Sequence, residues 1–294
     1  MKAALLTHRG IIRLSGDDRS DFLQGLVSND VRQITSEQAL YATFLTPQGK
    51  FLYDLMITEE DEAWLIEAEQ DRLETLLKKL SLYKLRSKVF LEKGPADSHI
   101  VALWGDDLSA RFPPLKSLGG MTRIENSLLY RDPRLKELGY RAIVPASRLD
   151  SFLSSLEADL SPYADFEDHR LKLGIPEGEH DLIPEKSVLL ECGLDELNAI
   201  NWQKGCYIGQ ELTARTRYRG LIRKRLLPIT FSTSNIKMGD ILNQDDQEVG
   251  EVRSVGKGIA LAMIRLEALS REIPITCGGF VVTPYIPDWV RLPE

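Results

Sequence analysis

The sequence is short of thiols. Its 294 residues hold three cysteines, Cys192, Cys206 and Cys277, an odd number at wide spacing with no Cys-Xaa-Xaa-Cys pair. That pattern argues against a disulfide scaffold and against a self-contained zinc or iron–sulfur site, so no permanently bound metal is expected. Histidine is scarce too, and His8, His99, His169 and His180 show no ligand spacing to one another or to a cysteine. No segment approaches the roughly 18 consecutive apolar residues of a membrane span. The opening MKAALLTHRG has too short an apolar run for a signal peptide. These absences read as a cytoplasmic chain with no membrane partner. Low-complexity tracts are missing as well, and 43% apolar with 28% charged residues marks an ordinary globular composition. Positive charge is not in excess: 37 basic against 44 acidic residues leave a net charge of −7, which gives no support to non-specific nucleic-acid binding by the chain as a whole.

The patterning present is that of an α+β protein. IIRLSG (11–16) predicts a strand, and Asp17 or Asp18 can cap a following helix with Phe22, Leu23 and Leu26 on its apolar face. Strands at 39–46 and 50–57 flank a Pro-Gln-Gly turn, and AWLIEAE is a third. Leu73, Leu76, Leu77 and Leu80 fall at helical spacing within 71–85. Strands near 99–104, 127–131 and 140–145 precede a helix over about 148–159. Strand-rich units interleaved with single helices suggest α+β subdomains with antiparallel sheets. After about Leu226 only short strands punctuated by Gly, Asn and Asp remain, with a hairpin tip at 256–258, which predicts a small C-terminal β-barrel or sandwich.

One stretch carries chemistry: QKGCYIGQELTAR, Gln203 to Arg215. Gly205 and Gly209 permit backbone conformations closed to other residues and allow close approach to a ligand. Lys204 can neutralise a carboxylate or phosphate, and flanking cations with free turn N–H groups would favour a reactive thiolate at Cys206. The alternative is a tight loop leading into a helix, with Cys206 buried as a small hydrophobe and Lys204 solvated. Downstream, Arg215, Arg217, Arg219, Arg223, Lys224 and Arg225 crowd eleven residues. If 215–219 is extended, three arginines share one face as a clamp for an anionic ligand or as a patch for RNA or a protein. The other reading is a solvated strand edge, preferred here for Lys224 and Arg225.

The residues KGCYIGQE resemble the signature of the YgfZ family, folate-binding proteins related to the glycine-cleavage T-protein (aminomethyltransferase). FLQGLVSNDV (22–31), TPQGKFLYDL (46–55), LRSKV (85–89) and RLKLGIPE (170–177) resemble further family landmarks in the family's order. The resemblance implies three domains around a central tetrahydrofolate pocket: a discontinuous first domain at 1–45 and 160–225, a second at 46–159, and a barrel at 226–294. It also implies tetrahydrofolate or a derivative as cofactor. Glu191 would hold the pterin's amino edge, since a carboxylate accepts two N–H bonds from an aminopyrimidine. Gly205, Tyr207, Gly209, Gln210, Glu211 and Arg215 would belong to the same site, bordered by Tyr83 and Phe166, with Trp202 either stacking on the pterin or packing in the core.

Two departures from the T-protein pattern bear on activity. Where the T-protein hairpin carries two adjacent aspartates, this chain has Tyr53-Asp54, leaving Asp54 as a doubtful catalytic acid. Cys206 replaces the acid of the T-protein's KGDFIG, and becomes the candidate functional thiol beside Lys204. The resemblance therefore implies a role in assembling or maintaining iron–sulfur clusters with client or assembly proteins, and through iron–sulfur enzymes in tRNA modification. Its rivals are a folate-dependent one-carbon transferase and, less favoured, a protein that binds tRNA directly.

Overall fold

Thr46–Lys50 turns as its residues predict. Pro47 supplies a preset φ, Gly49 takes φ +79°, and the Thr46 N–H donates to the Lys50 carbonyl at 2.8 Å, so the chain reverses between two antiparallel strands, Leu40–Leu45 and Phe51–Glu60. This computed structural model describes residues 1–95, 97–105, 108, 112, 115, 117–220 and 222–292. The hairpin opens a five-stranded sheet that continues through Ala63–Glu69 and Arg9–Ser15 to Phe90–Lys93. A six-stranded sheet runs Asp159–Leu160, Lys2–Leu5, Ser98–Trp104, Tyr140–Pro145, Ser127–Arg131, Met121–Ile124. Six strands between Lys224 and Pro284 close into the expected C-terminal barrel, and the last two residues of its expected span lie outside the described ones.

The strand pairing cuts across the expected boundary at 45/46, because that boundary falls inside a tight hairpin whose two strands must pair with each other. The first segment is also divided differently: Lys2–Leu5 joins one sheet and Arg9–Ser15 the other. Helix Leu73–Tyr83 buries Leu76 and Leu80, four residues apart, against the five-stranded sheet. The helix expected over 148–159 is shorter, Leu149–Ser155, and the chain beyond it turns through Glu157 at φ +48°. Residues 215–219 are not extended. They belong to helix Gln210–Arg219, which lies between Gly209 at φ +80° and Gly220 in the left-handed conformation.

A buried charge network joins the two sheets. Arg9, on the first sheet, donates from Nε to Glu67 at 2.9 Å and from an η nitrogen to Asp54 at 3.0 Å. Arg141, on the second sheet, reaches the same Glu67 carboxylate at 2.5 Å and donates to Asp132 at 3.0 Å and to Glu177. Arg134 completes the cluster with bonds of 2.9 Å to Asp132 and to Glu177, and the Tyr130 hydroxyl donates to Glu67 at 3.0 Å. Each of these three guanidiniums is at most 4% exposed as a residue, so removal from water is offset only because the partners are close and multiply bonded.

Candidate functional site

The signature is a pinned loop. Asn201 Oδ1 accepts from the N–H groups of Gln203 and Lys204 at 2.8 and 2.9 Å. The Lys204 ammonium then donates to three carbonyls, those of Gln24, Val27 and Asn29, at 2.7, 2.6 and 2.7 Å. Burial pulls this amine down to about 8, yet three acceptors around one nitrogen require three N–H donors, which only the protonated form has. Lys204 is thus a clamp on residues 24–29 and is not available to a ligand or to a thiolate, contrary to the sequence expectation. The Ile208 N–H donates to the Gly25 carbonyl at 3.0 Å, and Gln210 Oε1 accepts from the Tyr207 N–H at 3.2 Å. Glu211 is exposed in the first helical turn, where a carboxylate complements the helix N-terminus.

The two glycines differ. A Cβ on Gly209 would lie 2.4 Å from the Thr46 carbonyl oxygen and 2.9 Å from Gly49 Cα, so the signature and the hairpin turn meet backbone to backbone. Gly205 has no positive φ and open space where its side chain would be, so the conformational freedom expected there is not used. Gly209→Ala is therefore expected to lose at least about 2 kcal/mol in urea unfolding, from steric overlap and left-handed strain, while Gly205→Ala stays within about 0.5 kcal/mol of the parent.

Between these glycines Cys206 is exposed, whereas Cys192 and Cys277 are buried. Burial pushes the Cys192 thiol up to about 12 and raises that of Cys277. The buried-hydrophobe alternative for Cys206 therefore fails. The loop thus offers one thiol to solvent from a base held by the lysine clamp.

Other predicted site residues are scattered. Asp54 is 1% exposed and bonded to Arg9, inside the charge network, and Phe166 is a core residue edge-on to Trp104 at 5.4 Å. Glu191 is half-buried on the short helical turn Leu189–Cys192. Burial raises its carboxyl, and the nearby Lys50 and Lys224 offset only part of that rise. Tyr83 ends its helix and packs edge-on to Phe44 at 6.1 Å, lining a cleft with Pro47 and Lys50. Arg215, Arg217 and Arg219 are exposed, and Arg217 lies 4.1 Å over the Trp202 ring. Arg225, expected in solvent, is buried, donating to the Leu190 carbonyl at 2.8 Å and to Glu196 at 2.5 Å; its strand alternation turns it inward beside the Leu189–Cys192 turn.

Three parts of the fold meet at a cavity of about 680 Å³. The loop after Ser127–Arg131 contributes Leu135 and Lys136, the end of helix Tyr163–Lys172 contributes Lys172 and Leu173, and the segment after the barrel contributes Tyr285 and Trp289. The indole N–H of Trp289 donates to the Leu173 carbonyl at 2.7 Å, and the Tyr285 hydroxyl donates to the Lys172 carbonyl at 2.6 Å. These bonds fasten the C-terminal segment to the helix end. Sequence reasoning missed this cavity because its residues come from three distant segments with no shared motif.

Comparison with known proteins gives a consistent picture. Residues 223–292 match the family described as CAF17, C-terminal beta-barrel domain. The chain is 33% identical over 309 residues to the iron-sulfur cluster assembly factor IBA57, mitochondrial, of Mus musculus, covering 97% of this chain and 84% of that one. It is 36% identical to the corresponding homologues of Neurospora crassa and Mycosarcoma maydis, and spans 52% and 57% of their lengths, about half. All three relatives are named as mitochondrial, which overturns the expectation of a cytoplasmic chain. The glycine cleavage system aminomethyltransferase T of Bartonella henselae superposes with a TM-score of 0.80 at 15% identity, over 98% of this chain and 86% of that one. The fold is that of the T-protein.

Proposed function

The chain belongs to the family of IBA57 iron–sulfur cluster assembly factors, and from that membership we propose that it acts in iron–sulfur cluster assembly, with Cys206 as the thiol it offers to a partner. The observation that carries this reading is the single exposed cysteine at the head of a loop fastened by Lys204. A thiolate ligates iron or carries sulfur. One thiolate does not complete the four-cysteine ligation usual for a cluster, so Cys206 works together with ligands from an assembly or client protein. The test is complementation: in cells lacking their own IBA57, this chain restores the activity of an iron–sulfur dehydratase, and failure of the well-expressed wild-type chain to do so refutes the assignment.

Tetrahydrofolate binding is the second part of the proposal. The T-protein fold supports it, as does the junction cavity: its volume lies within the ~300–1,000 Å³ of small-molecule sites. Its lining combines aromatic Tyr285 and Trp289, apolar walls for a pterin, with Lys172 as a cation for a glutamate tail, while Lys136 is paired to Glu137 at 3.3 Å and Asp288 also borders the cavity. Bound folate would supply a one-carbon carrier, and Asp54, consumed by Arg9, is ill placed as the acid for aminomethyl transfer. Titration with tetrahydrofolate distinguishes the seats. Binding lost in Lys172→Glu and kept in Glu191→Ala supports the junction cavity, and the reverse moves the ligand to Glu191. Within the family, the KGCYIGQE signature favours a YgfZ-type branch, whose effect on tRNA modification would run through iron–sulfur enzymes.

A further inference from the structure

Large apolar side chains are exposed over one short stretch of chain, from the end of helix Leu73–Tyr83 to the start of strand Phe90–Lys93. Leu82 is 77% exposed, Leu85 90% and Phe90 65%, with Tyr83 at 37%, all within nine residues of chain. Helix Leu73–Tyr83 turns Leu76 and Leu80 inward, so this outward set does not serve its own core. Leu85 also holds φ +44°, a left-handed conformation that costs a leucine about 1 kcal/mol. A strained leucine left in water, next to two other large apolar groups, is unfavourable for the isolated chain and marks a surface that another molecule covers.

Leu82 and Tyr83 line a cleft of about 420 Å³ between the helix end and the hairpin turn, with Phe44, Pro47, Lys50 and Lys79 among its other walls, while Leu85 borders a neighbouring hollow with Asp18, Arg86 and Ser87. The hairpin turn that forms one wall touches the signature directly: a Cβ on Gly49 would sit 2.5 Å from the Gly209 carbonyl oxygen and 2.6 Å from Leu212 Cβ. One wall of the cleft is therefore in direct contact with the signature at Gly209 and Leu212. Charge around the patch is strongly of one sign. Lys79, Lys84, Arg86 and Lys88 make no ion pair among the described residues, although Lys84 lies 5.4 Å over the Phe90 ring. The nearby carboxylates are few: Glu185 lines the cleft, Asp18 accepts from the Lys88 N–H, and Glu92 is paired to Arg13.

We propose that this cleft, with Leu82 and Tyr83 in its wall, and the exposed Leu85 and Phe90 that follow along the chain, form the docking site for an acidic amphipathic segment of a protein partner, which brings that partner's own ligands to the side of the molecule where the hairpin turn meets the signature. The proposal rests on the cluster-assembly reading and specifies how the partner is recognised. Apolar anchors of the segment enter the cleft against Tyr83 and Phe44, and its carboxylates meet the four unpaired cations. A concave seat suits an inserted side chain better than a lipid surface, which needs a convex face.

The test uses the full chain and a labelled synthetic helix with Leu and Phe on one face and Glu on the other, followed by fluorescence anisotropy. The helix binds the wild type, binding weakens about tenfold or more in Leu82→Ser/Phe90→Ser, as loss of central apolar anchors does, and a scrambled peptide of equal composition binds no better than that variant. Leu85→Gly relieves the strained φ, so it binds more weakly while its melting temperature does not fall. Equal binding of the scrambled peptide, or unchanged binding in both variants, overturns the proposal, and so does association with phosphatidylserine vesicles in place of the peptide. Complementation keeps the two readings apart. If Cys206→Ser fails and Leu82→Ser/Phe90→Ser restores the dehydratase fully, docking at this patch is wrong and the thiol's role stands. If wild-type chain itself does not complement, the assembly reading fails whatever the peptide does.

Discussion

Arg141→Met is expected to destabilise the protein by about 3–5 kcal/mol, a large share of the stability of a typical chain. The variant keeps the volume of the side chain and deletes a cation that bonds Glu67, Asp132 and Glu177 in the buried junction of the two sheets. The loss exceeds the worth of the bonds themselves, because three carboxylates stay buried with fewer partners. Arg141→Met/Glu67→Gln should recover part of it, since the double variant removes one of the stranded charges, and the coupling is read from a double-mutant cycle in urea. Additive losses would mean that the two side chains do not share a network.

The same network sets an acid limit. Burial alone would raise the Glu177 carboxyl, but the guanidiniums of Arg141 and Arg134, a hydrogen bond from His8, and Arg9 outweigh it and hold it well below the usual carboxylate range. Arg134 and then Arg141 likewise overcome burial at Asp132 and lower it. A carboxyl depressed on folding stabilises the native state fully above its unfolded value, near 4, and that contribution disappears as the pH falls through the folded value. Stability should therefore drop steeply below about pH 4, with a shallower slope in Arg141→Met, where the depression of Glu177 is reduced.

Lys204→Met should cost about 3 kcal/mol, since each hydrogen bond from a charged donor contributes about 1.5–3 kcal/mol and such terms do not add fully. The carbonyls of Gln24, Val27 and Asn29 lose the side-chain donor they share, and the loop bearing Cys206 keeps only weaker ties to that segment, among them the Ile208 N–H to the Gly25 carbonyl. Lys204→Arg should recover little, because a planar guanidinium spreads its donors and does not converge three of them on one point. Urea unfolding of the three proteins checks the order wild type, then arginine, then methionine.

Much of the fold was legible because its signals are local. Alternation and a Pro-Gln-Gly turn predicted the hairpin at 40–60, and a run of short strands after Leu226 predicted the barrel. Helix Gln210–Arg219 was harder: its arginines and threonines carry no apolar stripe, and only Thr213 and Thr216 are buried. The signature marked the right loop but not the task of each residue. A lysine followed by a cysteine suggests an activated thiol, and nothing local says that the ammonium turns back to carbonyls some 175 to 180 residues earlier in the chain. Asp54 is a candidate acid only through the T-protein resemblance, and its partner Arg9, 45 residues away, is likewise invisible to local spacing. Long-range electrostatic partners are set by sheet topology, which the spacing of charges along one chain does not encode.

The most direct measurement compares Cys206→Ser, Cys192→Ser and wild type in cells lacking IBA57, scored by iron–sulfur dehydratase activity at matched protein levels and with each variant's melting temperature recorded. Cys206→Ser should fold like wild type, because the side chain is exposed and the exchange is nearly isosteric, and should fail to restore the enzyme. Cys192→Ser should retain function to the extent that it folds. Full restoration by Cys206→Ser would contradict the account, since the one exposed thiol would then be dispensable.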